Sequence, residues 1–257
     1  MVGLCIALRY AMNSSAIGSK KLFILSLGLA LAQISAQPAS AAGNCASYYS
    51  IIQIMAEKKI GQEEAGNNHG PVPMTILAEA NVRDHVPWCM AFVNYIFDNA
   101  AKYSGFNKEK DLYLPHPASA LGTWSDLREG MPANKVVDSD SKSAYQKLKK
   151  HLKPGWALFY SSHEGHGHAA IVISSLAKDA DKKVPYGRFG ITTIEGNSES
   201  PKKMRGDRRD PNDGIYLHHL KLKELSDGSL ELVEKDGVNM VGKRNVVGFG
   251  NPMKSCD

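Results

Sequence analysis

The chain has little of what marks a membrane, nucleic-acid or multidomain protein. Its longest apolar stretch, LFILSLGLALA at residues 22–32, falls short of the roughly 20 residues that span a bilayer. Residues 42–257 contain no internal repeat, low-complexity tract or long linker. Net charge is small too. The whole chain carries +5, but residues 1–41 hold Arg9, Lys20 and Lys21 and no acid, which leaves +2 for the remainder. That is too weak to argue for nucleic acid, and no basic helix or glycine-lysine patch adds to it. The one basic run, KKMRGDRRD at residues 202–210, reads as a solvated loop.

The apolar stretch follows Lys20-Lys21 and leads into SAQPASAAGN, where Ala39-Ser40-Ala41 fits a small-x-small cleavage pattern. Residues 1–41 therefore read as a secretory signal peptide and residues 42–257 as one domain. Met12 is an alternative start, and a permanent N-terminal anchor is the competing reading. A lipoprotein is disfavoured, because Asn44 precedes Cys45 where a small residue is needed. Export implies a periplasmic or secreted protein with no stable membrane anchor.

Cysteine is scarce as well. Cys5 leaves with the leader, so Cys45, Cys89 and Cys256 remain. An odd count in an oxidising compartment implies one bridge and one free thiol. Cys45 and Cys256 lie at the two chain ends, which are often close together in a folded domain, so these two are the expected disulfide. Cys89 is then the free thiol.

What is present is helical first and stranded later. SYYSIIQIMAEKKIGQEEA (residues 47–65) spaces Tyr48, Ile51, Ile52 and Met55 along one stripe, and GNNHGPVP breaks it. A short helical piece is expected around residues 76–80. In HVPWCMAFVNYIF, Cys89, Phe92, Val93, Ile96 and Phe97 fall on one helical face, entered through Pro87 and closed by Gly105. Residues 112–140, rich in Pro, Gly and Ser, read as a long loop, and residues 143–152 as a short helix. After Pro154-Gly155 the runs at 156–162, 168–176, 189–197, 214–222, 229–235 and 245–252 carry strand composition. This order implies an α+β domain with an antiparallel sheet.

Cys89 stands in a first helical turn, where backbone N–H groups lower a thiol's pKa. A nucleophile also needs a base. HEGHGHAAIVIS offers His163, His166 and His168, of which His168 opens an apolar strand and is the firmest mount. A third polar group must orient the imidazole. TIEGNS ends the next strand and supplies Glu195 and Asn197, two residues apart and so on one face of a regular strand. Trp88, Trp124 and His166 are the candidate substrate contacts.

Pro-Trp-Cys-Met-Ala-Phe-Val-Asn-Tyr, then Lys-Pro-Gly, Gly-His-Ala-Ala-Ile-Val-Ile and Ile-Glu-Gly-Asn-Ser in that order, resemble the CHAP amidohydrolases/peptidases. These are grouped with NlpC/P60 enzymes in the papain-like superfamily. The likeness runs over residues 75–251. It implies a papain-like fold, Cys89 as nucleophile, His168 as base and Glu195 orienting His168. Asn197 would support the site or the oxyanion. It further implies cleavage of an amide bond in peptidoglycan, between glycan and peptide or within the peptide. Trp156 departs from the acidic residue that often follows Pro-Gly in the family. No wall-binding repeat is present, so substrate affinity falls to the domain itself or to a targeting partner; a protein inhibitor is a further possible partner.

The rival chemistry is a metal site of His163, His166, His168 and Glu164. Zinc hydrolases with a His-x-His strand need a further His and an Asp at set spacing, which His116 and His151 do not provide. No metal or cofactor is therefore expected. A non-catalytic envelope-binding module has no need of Cys, His and Glu together. An exported toxin or acyltransferase using the same Cys–His chemistry remains open.

Overall fold

The helical half folds largely where its apolar spacing points, with ends set by caps and glycines. The computed structural model describes residues 44–256 except 84, 163–164, 175–176, 179–187, 207–211 and 243, all within the unit Pro38–Asp257. Helix α1 (Cys45–Glu57) starts at Asn44, whose side chain accepts the Ser47 N–H. It buries Tyr48, Ile52 and Ala56, and stops earlier than its stripe implied, before Gly61 at φ 81°. Helix α2 (Pro71–Glu79) opens on a proline, which loses no helical hydrogen bond there. Helix α3 (Cys89–Tyr103) is the central element, with ten of its fifteen residues buried. A helix buried nearly all round forms core rather than surface. Phe92→Ala in it should cost about 3–5 kcal/mol.

The segment at 112–140 is not the long loop its composition indicated. After α4 (Lys108–Asp111) it holds α5 (Ala120–Gly130) and β1 (Val136–Asp138). Ser119 caps α5 by accepting the Gly122 N–H, and Thr123, Trp124 and Leu127 are its buried face. Packing overrides the local composition here. Trp124 lies so close over Gly248 that a Cβ there would come within 2.1 Å of the indole.

Helix α6 (Ala144–His151) leads into β2 (Ala157–Ser162), β3 (Gly167–Val172), β4 (Ala177–Lys178) and β5 (Arg188–Glu199). A turn of helix, α7 (Pro201–Met204), then precedes β6 (Asp213–Glu224), β7 (Leu230–Lys235), β8 (Val238–Asn239) and β9 (Arg244–Gly250). The nine strands among the described residues pair antiparallel in the order β1-β9-β2-β3-β5-β6-β7-β8, with β4 on β5. The protein is thus α+β, as the run of helices then strands indicated.

The central strands are buried on both faces. Ala157, Phe159, Ala169 and Ile171 join α1, α2, α3 and α5 in one core. Leu158, Tyr160, Ala170 and Val172 face a second core with Leu148 of α6 and Leu220, Leu222 and Leu232. Helix α3 packs on β3 and β5, and this contact brings its first residue to the start of β3.

Cys45 and Cys256 are joined, with Cα atoms 5.5 Å apart across 211 residues of chain. Closing a loop of that length is worth about 5 kcal/mol in the chain-entropy model, an upper figure. The buried ammonium of Lys135 holds the same tail, donating to the carbonyls of Met253, Lys254 and Cys256 at 2.9, 2.6 and 2.7 Å.

Candidate active site

Cys89 is the first residue of α3 and a buried, free thiol. Pro87 stands just outside the helix. The N-cap residue, Trp88, offers no side-chain acceptor, so the first-turn N–H groups are left for whatever sits in front of them. The Trp88 junction is clamped from two sides. Asn197 Oδ1 accepts the Trp88 backbone N–H at 2.9 Å, and Glu64 Oε2 accepts from the indole Nε1 at 3.1 Å. Both hold the backbone that presents the thiol.

His168 is the second residue of β3. Its Nε2 lies 2.9 Å from Glu195 Oε2, which leaves its other ring nitrogen for the Cys89 thiol, whose charge acts on the ring. The Tyr160 ring, its register partner on β2, stacks on it at 5.8 Å. Burial pushes the Cys89 thiol up. The facing His168 and the N–H groups of Ala169 and Met90 more than offset this and bring it below the ordinary thiol value. Burial likewise pulls His168 down, yet the thiolate and Glu195 carry it above the ordinary imidazole value. The two opposite displacements favour a thiolate–imidazolium pair, the form in which a cysteine attacks carbonyl carbon.

Glu195 is fully buried and collects five donors. Tyr160 Oη and Thr193 Oγ1 donate to Oε1 at 3.0 and 2.9 Å. Oε2 receives His168, Lys235 Nζ at 2.6 Å and Ser198 Oγ at 3.4 Å. Burial alone would raise this carboxyl. The charges of Lys235, His218 and His168 hold it well below the usual carboxylate range. Behind it Ser198 Oγ lies 2.9 Å from His218 Nε2, and His218 Nδ1 is in short contact with Asp236.

Two irregularities in the sheet decide which polar groups reach the site. Alternation places Glu195 and Asn197 on one face, but the β5–β6 register shifts between Glu195 and Ser198. Asn197 takes φ 53° and turns to Trp88, so Ser198 joins Glu195 instead. Gly196 allows this, because a Cβ there would sit 2.7 Å from Phe92 and 2.9 Å from Trp88. A second shift in the β6–β7 pairing puts Leu222 opposite Leu232 but Leu220 opposite Lys235. Lys235 therefore faces inward with those leucines. Each bulge re-aims a side chain that strict alternation would send elsewhere.

A groove of about 290 Å³ opens beside Cys89, lined by Pro87, residues 118–121 and residues 165–167. Its walls are short and uncharged, with exposed His166 on the rim. Gly167 admits Leu121 so closely that a Cβ would lie 2.7 Å from its Cγ. The expectation that Trp88 and Trp124 touch substrate does not survive their positions. Trp88 is 0% exposed and Trp124 6%. Trp88 anchors the Cys89 junction, and Trp124 fills the α5 core.

His163 and Glu164 of the alternative metal cluster lie outside the described residues, and among the described residues no three His, Cys, Asp or Glu side chains come together as ligands. His116 is engaged by Asp126 at 3.0 Å. Of the pair His218-His219, only His218 is buried. No helix among the described residues is long and apolar enough to cross a membrane.

No protein-family model, curated protein or solved structure matches the chain. The family likeness therefore rests on the motifs alone, and function has to be argued from the site.

Proposed function

We propose that the protein is an exported cysteine hydrolase of the papain-like, CHAP kind that cleaves an amide bond of peptidoglycan. The observation that carries this reading is Cys89 at the start of α3, interacting electrostatically with His168, which is itself held by buried Glu195. A structural cysteine needs none of these partners. The signal-like residues 1–41 and the bridge between the chain ends support export.

In the proposed reaction the Cys89 thiolate attacks the amide carbon and the carbonyl becomes an oxyanion. N–H groups at the start of α3 are placed to stabilise that charge. His168 gives its proton to the leaving amine as the C–N bond breaks, leaving a thioester on Cys89. His168, now neutral, takes a proton from water, whose oxygen attacks the thioester. The C–S bond then breaks, the acid leaves and Cys89 returns as the thiolate beside the His168 imidazolium. Glu195 keeps the imidazole oriented and stabilises its charged form. The groove fits a slender, uncharged peptide segment beside the attacked carbonyl. His166 contacts substrate from the rim.

Digestion of purified sacculi, with mass spectrometry of the released fragments, tests the reading. New amine and carboxyl ends at one amide linkage are expected from the wild-type protein and none from Cys89→Ser. Release that persists in Cys89→Ser, or that stops on chelation and not on alkylation, would contradict it.

A further inference from the structure

Lys235 is a buried titratable group to which the reaction above gives no task. It is 1% exposed, and its Nζ bonds the Glu195 oxygen that also holds His168. Packing does not explain it. An apolar side chain would fill the site without the cost of desolvating an ammonium, and a bulge is needed to turn Lys235 inward at all.

Charge supplies the reason. In the resting site a thiolate, an imidazolium, a carboxylate and the ammonium sum to zero. In the tetrahedral intermediate the oxyanion replaces the thiolate and the sum is unchanged. In the thioester, Cys89 and His168 are neutral, and Glu195 and Lys235 still cancel. Without Lys235 the buried set is negative at every stage and holds a proton more tightly.

We propose that Lys235 is a positioning residue for the Cys89–His168 reaction, holding Glu195 as an anion and setting how readily His168 takes and gives its proton. The proposal rests on the cysteine-hydrolase reading. The other groups around this carboxylate do not replace the ammonium. Tyr160 from β2 and Thr193 and Ser198 from β5 are neutral donors. His218 from β6 is engaged by Asp236. Arg244 from β9 acts on Tyr160 and Lys235 from a distance, opposing the charge on Lys235.

The test is the rate of iodoacetamide alkylation at Cys89 as a function of pH, which needs no substrate. In the wild-type protein the rate should rise on an acid limb below the ordinary thiol range. In Lys235→Met that limb should move up by about one pH unit or more, a roughly tenfold slower reaction at a pH on the limb. A folded Lys235→Met with an unmoved limb overturns the proposal and leaves the hydrolase reading standing. A wild-type Cys89 that reacts only in the ordinary thiol range removes both. Should Lys235→Met fail to fold, Glu195→Gln is compared with Glu195→Gln/Lys235→Met, which strands no charge. The double variant's limb should lie above that of the single, and coincident limbs overturn the proposal.

Discussion

In front of the His168 ring lies a groove of mostly short residues, with Leu121 and His166, beside a single thiol; behind it, the ring and four other donors converge on one fully buried carboxylate. The front is formed by a helix start and two glycine-containing segments, with backbone close to the reacting position. The back is formed by side chains from β2, β5, β6 and β7, several of them carrying charge. An open front admits substrate and lets one group react. A closed back keeps water from the carboxylate, so each charge there acts at full strength and none is easily removed.

The largest effect should come from the group that joins the two sides. His168→Ala should lower fragment release by about a thousandfold or more, because both the thiolate and leaving-group protonation depend on the ring. The measurement is initial release of soluble fragments from sacculi, with folding checked by circular dichroism.

Glu195→Gln tests the back alone. The amide can still accept from the ring, so the loss should be smaller, about tenfold to a thousandfold. The variant also strands Lys235, which should cost about 3–5 kcal/mol of stability near neutral pH. Glu195 has a folded pKa below its unfolded value. Its contribution is present above the ordinary carboxylate range and is lost as pH falls towards the folded value. The stability gap between wild type and Glu195→Gln should therefore narrow in acid, as denaturant melts at successive pH values would show. A gap that widened in acid would contradict an ionised Glu195.

The front and the disulfide were legible from sequence because they are local or follow from counting. Cys89 falls on a helical face after Pro-Trp, and His168 opens an apolar strand; an odd number of thiols leaves Cys89 unpaired. Of the back, Glu195 was legible as the end of the strand after His168, but the groups around it were not, because bulges break the alternation on which strand reading depends. Asn197 was expected beside Glu195 and instead clamps Trp88. Lys235 ends the run LELVEK, where strict alternation sets it on the face opposite Leu230 and Leu232, yet the β7 bulge buries it with them. Helix α5 was hidden by its glycines and the prolines that flank it, and two tryptophans that looked available to substrate proved to be core. In each case a contact between segments distant in sequence overrode the local pattern.

The Cys45–Cys256 bridge lies in neither region and sharpens the comparison by separating stability from chemistry. Cys256→Ala should lower stability by up to about 5 kcal/mol while the folded fraction keeps its activity. Thiol labelling of the native protein lacking residues 1–41 should modify Cys89 alone. The smallest effect is expected at the rim of the groove. His166→Ala should change fragment release by no more than about threefold, the scale of a single exposed contact. If His166→Ala abolished release and His168→Ala spared it, the front and back would have been assigned around the wrong ring.

The most direct test of the account is thiolate absorbance in the ultraviolet, taken as the difference between wild type and Cys89→Ser near pH 6, where an ordinary thiol is protonated. A thiolate signal in the wild-type protein that disappears in His168→Ala is the result expected. A wild-type protein without that signal, or a signal unchanged by His168→Ala, would contradict the Cys89–His168 pair on which the proposed hydrolysis depends.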